Sequence, residues 1–228
     1  MNFFAHYLVD QIPNKPQFNA ALIAPDLFRH FLPNNNRFAW ENLLYNSDIK
    51  QNQLENFCKG SLQHLQRDKL FHQSPIFQEI YDYNRNNWRS LSDQIGLGRW
   101  WFSLHVSIEL IIDKILIENN LNKLRLFYRT LQEEKKSYLK FLEIVQHPAI
   151  PIFDERMTRF LESQYLFHYK EISSLGYALH RIHISLNIQT PWYSENAKPM
   201  VVALEELEAS IKTKIQSKHL LQVLKSNS

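Results

Sequence analysis

The chain has 228 residues, 44% hydrophobic and 13% aromatic, which is enough apolar material for a substantial core and argues against disorder. Of four glycines only Gly96 and Gly98 lie close together, which leaves no phosphate-cradling loop and argues against P-loop or dinucleotide-turn chemistry. A net charge of +3 is too small to point to nucleic acid, and a single cysteine, Cys58, permits no internal disulfide and suits a reducing compartment.

The opening MNFFAHYLVDQIPNK has neither a basic start nor a long apolar core, so it does not read as a signal peptide. No apolar run approaches the ~20 residues of a membrane span, and the cytoplasm is the expected setting. Helical periodicity then dominates, over roughly 17–32, 39–46, 51–72, 74–95, 98–119, 121–146, 151–170, 171–187 and 196–225. Ser74-Pro75 has the form of a cap followed by a first-turn proline. Asn119-Asn120 separates two helices, and QHPAIPIFD and NIQTPWYSENAKP read as loops. With no repeat and no linker, the expectation is one all-α domain over 1–228, a helical bundle of mostly antiparallel neighbours.

The segment GSLQHLQRDKLFHQ places His64, Asp68 and His72 four residues apart. On a helical wheel Phe57, His64, Asp68 and Phe71 fall within about 60° of one another. Leu65 and His72 extend that side, and Lys59, Gln63, Gln66, Arg67 and Lys69 form the wet one. An Asp on an apolar stripe needs a partner: a metal, or a hydrogen bond that only fixes packing. WWFSLHVSIELIIDKIL repeats the spacing with His105, Glu109 and Asp113 on a helix apolar nearly all round. Two such ladders facing each other would offer imidazole nitrogens and carboxylate oxygens, a set suited to Mn, Fe or Zn. The alternative is a buried polar network. His6, among apolar residues near the start, and Asp26, in ALIAPDLFRHF, are weaker candidates to complete the set.

MNFFAHYLVD resembles the MNFLAH opening of the acyl carrier protein phosphodiesterases, a divergent branch of the HD-domain phosphohydrolases. GSLQHLQRDKLFH is similar to their helix G-I-x-L-H-R-x-I-D-x-F-T-D at Gly60, His64 and Asp68, with Leu65 at the family's Arg and His72 at its final Asp. ELIIDKIL puts Glu109 and Asp113 at two acidic positions of a later family helix, and Asp26 falls at the acid of another segment, whose preceding Gly-Asn is missing here. SLGYALHRIHISL and MVVALEELEASIKTKIQSKHLLQVL resemble the last two family helices, with Arg181 kept. The resemblance implies an HD-domain-like bundle and a Mn²⁺-type phosphodiesterase that releases 4′-phosphopantetheine from holo acyl carrier protein.

On that reading His6, Asp26, His64 and Asp68 hold metal, with His72 and His105 as further ligands. Asp68, Glu109 and Asp113 serve catalysis, and His105, Glu109 and Asp113 can alternatively hold a second metal. Lys114 and Arg181 are candidate cations for the phosphate. Two other classes stay open: a non-catalytic bundle serving as a binding module, and a non-haem di-metal oxidase, for which HYKE at 168–171 gives only a reversed motif. The remaining features read as structure: His168 in a core or at its border, Trp100-Trp101 packing the bundle, Cys58 beside a core position, EEKKS as a solvated face, and His180 and His183 with no acid on their helix that completes a site.

Overall fold

A computed structural model describes residues 2–33, 38–195 and 197–215, together with Leu220 and Leu224. The described residues are helical, with no strand among them. In chain order the α-helices are α1 (Phe3–Asp10), α2 (Pro16–Ala21), α3 (Ala24–Phe31), α4 (Trp40–Leu43), α5 (Ser47–Gln51), α6 (Glu55–Gln73), α7 (Pro75–Ile95), α8 (Trp100–Asn119), α9 (Leu121–Ile144), α10 (Ile150–Ser163), α11 (Ile172–Ser185), α12 (Pro191–Glu195) and α13 (Ala197–Lys214), with a 3₁₀ helix at Tyr165–Lys170. None is long and apolar enough to cross a membrane.

The expected single helix over 17–32 is two, because Pro25 fits only the first turn of a new helix and the chain turns at Leu22–Ile23. PWYSE, expected as loop, is the short helix α12. Of the expected helix 196–225, the part beyond Ile215 lies outside the described residues except for Leu220 and Leu224. The Ser74-Pro75 start is as expected: the Ser74 hydroxyl accepts from the Phe77 N–H at 3.3 Å and Pro75 occupies the first turn. Gly96 closes α7 in the left-handed conformation, φ 66°, which glycine adopts without a Cβ penalty.

The chain falls into two compact units. Among the described residues, unit I holds those of Phe3–Lys69 and Asn120–Tyr165, and unit II holds Asn2, Leu70–Asn119 and those from Leu166 onward. α6 runs through the boundary, its last turn belonging to unit II. In unit I, α2 packs along α9, α10 packs on α3 and α9, and α1 meets α2 and α9. Its core is aromatic: the Phe28 ring touches Trp40, Phe57, Tyr138, Phe141 and Phe153 at 5.1–6.4 Å between centroids. Such offset and edge contacts add to the burial energy of each ring. In unit II, α7 packs along α8, and α13 lies against α7, α8 and α11.

One glycine sets the closest approach in unit I. A Cβ on Gly60 would stand 2.3 Å from the Phe18 carbonyl oxygen and 2.9 Å from the Ala21 Cβ. Only glycine lets α6 lie this close to the end of α2. That approach brings the next turn of α6, with His64, to the Leu22 carbonyl.

Candidate metal centres

In unit I the Nδ1–H of His64 donates to the Leu22 carbonyl at 2.8 Å. A carbonyl oxygen only accepts, so the proton belongs on Nδ1. Nε2 then stands 3.6 Å from Asp26 Oδ1. In a neutral ring that sets a nitrogen lone pair against a carboxylate oxygen, a repulsion relieved by a proton or a cation. A backbone carbonyl on the far nitrogen is the support that metal-bound histidines use to fix tautomer and ring plane.

His6 stacks on His64, centroids 3.8 Å apart and planes at 30°. Its Nε2 lies 3.5 Å from Asp68 Oδ1. Its side chain is 0% exposed, and neither ring nitrogen makes a hydrogen bond. Leaving a buried polar group in that condition costs about 1–3 kcal/mol. Burial first, then the neighbouring His64, hold the His6 pKa well below its ordinary value against the opposing pull of Asp68. His6 is therefore neutral at pH 7, the form that ligates metal.

One donor atom each from His6, His64 and Asp26 lie within 4.8 Å of one another. Donors around a four-coordinate ion with bonds of ~2.1 Å are spaced by about 3.4 Å, so small rotations would close the set. Asp26 sits in the first turn of α3. Asp68 stands beside His6 and is the more open carboxylate, 35% exposed.

The pairing of α1 with α6 rests on a buried ion pair that the wheel misassigned. Arg67, expected on the wet side, is buried; its Nε donates to Asp10 Oδ2 at 3.0 Å and its NH2 to Oδ1 at 2.7 Å. The Gln63 amide adds a bond to Asp10 Oδ1 at 3.1 Å. Leu65, expected on the apolar side, is 41% exposed. The buried arc of α6 turns toward Arg67 because α1 presents a carboxylate there. His6 and Asp10 are themselves four apart, the spacing of His64 and Asp68, and that was the available signal.

Unit II holds a second cluster. His72, from the last turn of α6, and His105, on α8, both aim Nε2 at Glu109 Oε1, at 2.8 and 3.3 Å. Their rings are 4.4 Å apart, and Phe77 packs edge-on against both, at 5.1 and 5.0 Å. Burial opposes the charge on Glu109, yet hydrogen bonds from His105 and His72 help to hold its pKa well below the usual carboxylate range. Of the two ladders expected to face each other, His72 meets the His105–Glu109 pair here. Asp113, one turn further along α8, is wholly buried and outside this convergent set.

The expected phosphate cations are placed differently from each other. Lys114 is buried and already paired, with Glu118 and with Glu208 at 2.8 Å, and Lys212 joins Glu208 at 2.6 Å. Arg181 is exposed on α11. His168 is exposed rather than at a core border, and Trp101 is 54% exposed rather than packed. Cys58 is fully buried, and burial pushes its thiol up to about 12, far from a reactive thiolate.

No family model matches the chain, and neither curated proteins nor solved structures yield a match.

Proposed function

We propose that the chain is a metal-dependent phosphodiesterase on an HD-domain-like all-α scaffold, acting in the cytoplasm on holo acyl carrier protein or a related phosphodiester. The observation that carries this reading is His6: fully buried, neutral, without a hydrogen bond to either nitrogen, and stacked on a second imidazole whose Nε2 faces a carboxylate. His6, Asp26, His64 and Asp68 would hold a divalent cation, Mn²⁺ first and Fe²⁺ or Zn²⁺ as alternatives. Such an ion supplies Lewis acidity at a phosphoryl oxygen and lowers the pKa of bound water.

The remaining roles fall to the chain's own groups. The Leu22 carbonyl fixes the His64 imidazole, and the Asp10–Arg67 pair ties α1, which carries His6, to α6. Asp68, the carboxylate most open to solvent in the cluster, is suited to take the proton of an attacking water. Water adds to phosphorus, the bond from phosphorus to the serine oxygen of the carrier protein breaks, and that oxygen takes up the proton from Asp68, which frees 4′-phosphopantetheine. Glu109 is engaged by two histidines, so this reading needs no proton transfer through it. Lys114 is committed to the carboxylates of Glu118 and Glu208 and takes no part in this reading.

The test is mass spectrometry of holo acyl carrier protein incubated with the Mn²⁺-reloaded full chain, with a nitrophenyl phosphodiester as a second substrate. Loss of the phosphopantetheine mass with wild type, and none with His64→Ala/Asp68→Ala, is the expected result. Turnover of neither substrate by a metal-loaded chain overturns it. That outcome favours a non-catalytic binding module, a reading supported by the pairing of Lys114. Oxygen consumption by the Fe²⁺ form would instead favour oxidase chemistry, since two histidines and one carboxylate are also an iron-oxygenase set.

A further inference from the structure

We propose that His72, His105 and Glu109 form a second divalent transition-metal site, wholly within unit II and independent of the cluster in unit I. Three observations meet there. Two imidazoles present the same nitrogen, Nε2, to one carboxylate oxygen at 2.8 and 3.3 Å. Their rings are only 4.4 Å apart. All three donor atoms lie within 4.8 Å of one another.

Without a metal, each neutral imidazole would donate its Nε2–H to the same Glu109 oxygen, and a metal ion would take the place of both protons. A divalent ion lets both rings stay neutral and satisfies the carboxylate at the same time. The chemistry of the set, two nitrogens and one oxygen, suits Zn²⁺, Fe²⁺ or Mn²⁺. The backbone supports it. His105 and Glu109 are one turn apart on α8, and His72 is held in the last turn of α6, where its carbonyl accepts from the Gln78 amide at 2.8 Å. Phe77 walls off one side of both rings. The other requirement is an entry path, and the side chains of His72, Glu109 and His105 are 26%, 16% and 35% exposed.

The test uses the full chain, stripped of metal and titrated with Co²⁺ by its visible absorption and with Zn²⁺ by calorimetry. Carried out in the His64→Ala/Asp68→Ala background, it removes the unit I cluster from the measurement. One ion should bind, and adding Glu109→Gln or His105→Ala should weaken it by roughly 100-fold or more, since even outer partners of metal ligands cost 10–100-fold. No ion bound in that background, or an affinity unchanged by Glu109→Gln, overturns the proposal. Circular dichroism checks that each variant is folded. Should the background fail to fold, wild type is compared directly with Glu109→Gln. One ion fewer supports the site, and an unchanged number overturns it.

Discussion

Gly60→Ala adds one methyl group at the tightest contact in unit I. Its nearest neighbour would be the Phe18 carbonyl oxygen at 2.3 Å, with the Phe18 carbonyl carbon at 3.1 Å. The contact is about 1 Å short of van der Waals separation. Its partner is helix backbone in α2, which no rotamer change can move aside. Overpacking of this kind costs about 1–3 kcal/mol, and the upper end applies where backbone must shift. Replacing a helical glycine by alanine returns about 1 kcal/mol. The net loss is about 1–2 kcal/mol, or a fall in melting temperature of roughly 2–8 °C for a chain of this size.

Gly176 in α11 is the internal control, because its added Cβ would meet nothing nearer than Leu204 Cδ1 at 3.9 Å. Gly176→Ala should hold or raise the melting temperature, gaining up to about 1 kcal/mol. Because α6 must withdraw from α2, Gly60→Ala should also stretch the 2.8 Å bond from His64 to Leu22 and weaken metal binding. Thermal unfolding followed by circular dichroism reads the first effect and metal titration the second. A Gly60→Ala chain that melts at or above the wild-type temperature refutes the reasoning.

Two further predictions concern buried charge. Arg67→Met strands the Asp10 carboxylate, 7% exposed, and should cost about 3–5 kcal/mol in urea unfolding. Asp10→Leu/Arg67→Met should cost less than Arg67→Met alone; additive losses would show that the two residues do not act as a pair. The second prediction concerns pH. Burial, and then the nearby His180, lower the His183 pKa from 6.5 to about 4. Between these values the unfolded chain binds the proton that the folded chain refuses, so stability is full above pH 6.5 and declines as pH falls toward 4. The difference is at most about 3 kcal/mol. Denaturation midpoints across this range should fall more steeply for wild type than for His183→Gln, and equal slopes would contradict the assignment.

Much of the helical layout was readable because its signals are local. Ser74-Pro75 caps α7 by chemistry contained in four residues, and Asn119-Asn120 separates α8 from α9. The break between α2 and α3 also had a signal, Pro25, that apolar periodicity overrode. α1 escaped notice because all but the last of its eight residues are buried, so it has no polar stripe to reveal a period. On α6 the wheel found the face of His64 and Asp68 but not its edges. Leu65 and Arg67 lie at about equal angles, ~80°, on either side of Phe57. Which of them is buried depends on Asp10, a residue far away in sequence. The grouping of His72 with His105 and Glu109, apart from His6, Asp26 and His64, is likewise tertiary information. Spacing could nominate these residues but not sort them.

The most direct test of the account is the metal content of the full chain, purified without a histidine tag and reloaded with Mn²⁺, against that of His64→Ala/Asp68→Ala. The account predicts bound metal in the wild type and one ion fewer per chain in the folded variant. Equal metal in both, or none in the wild type after reloading, would contradict it and leave His6, Asp26, His64 and Asp68 as buried polar packing.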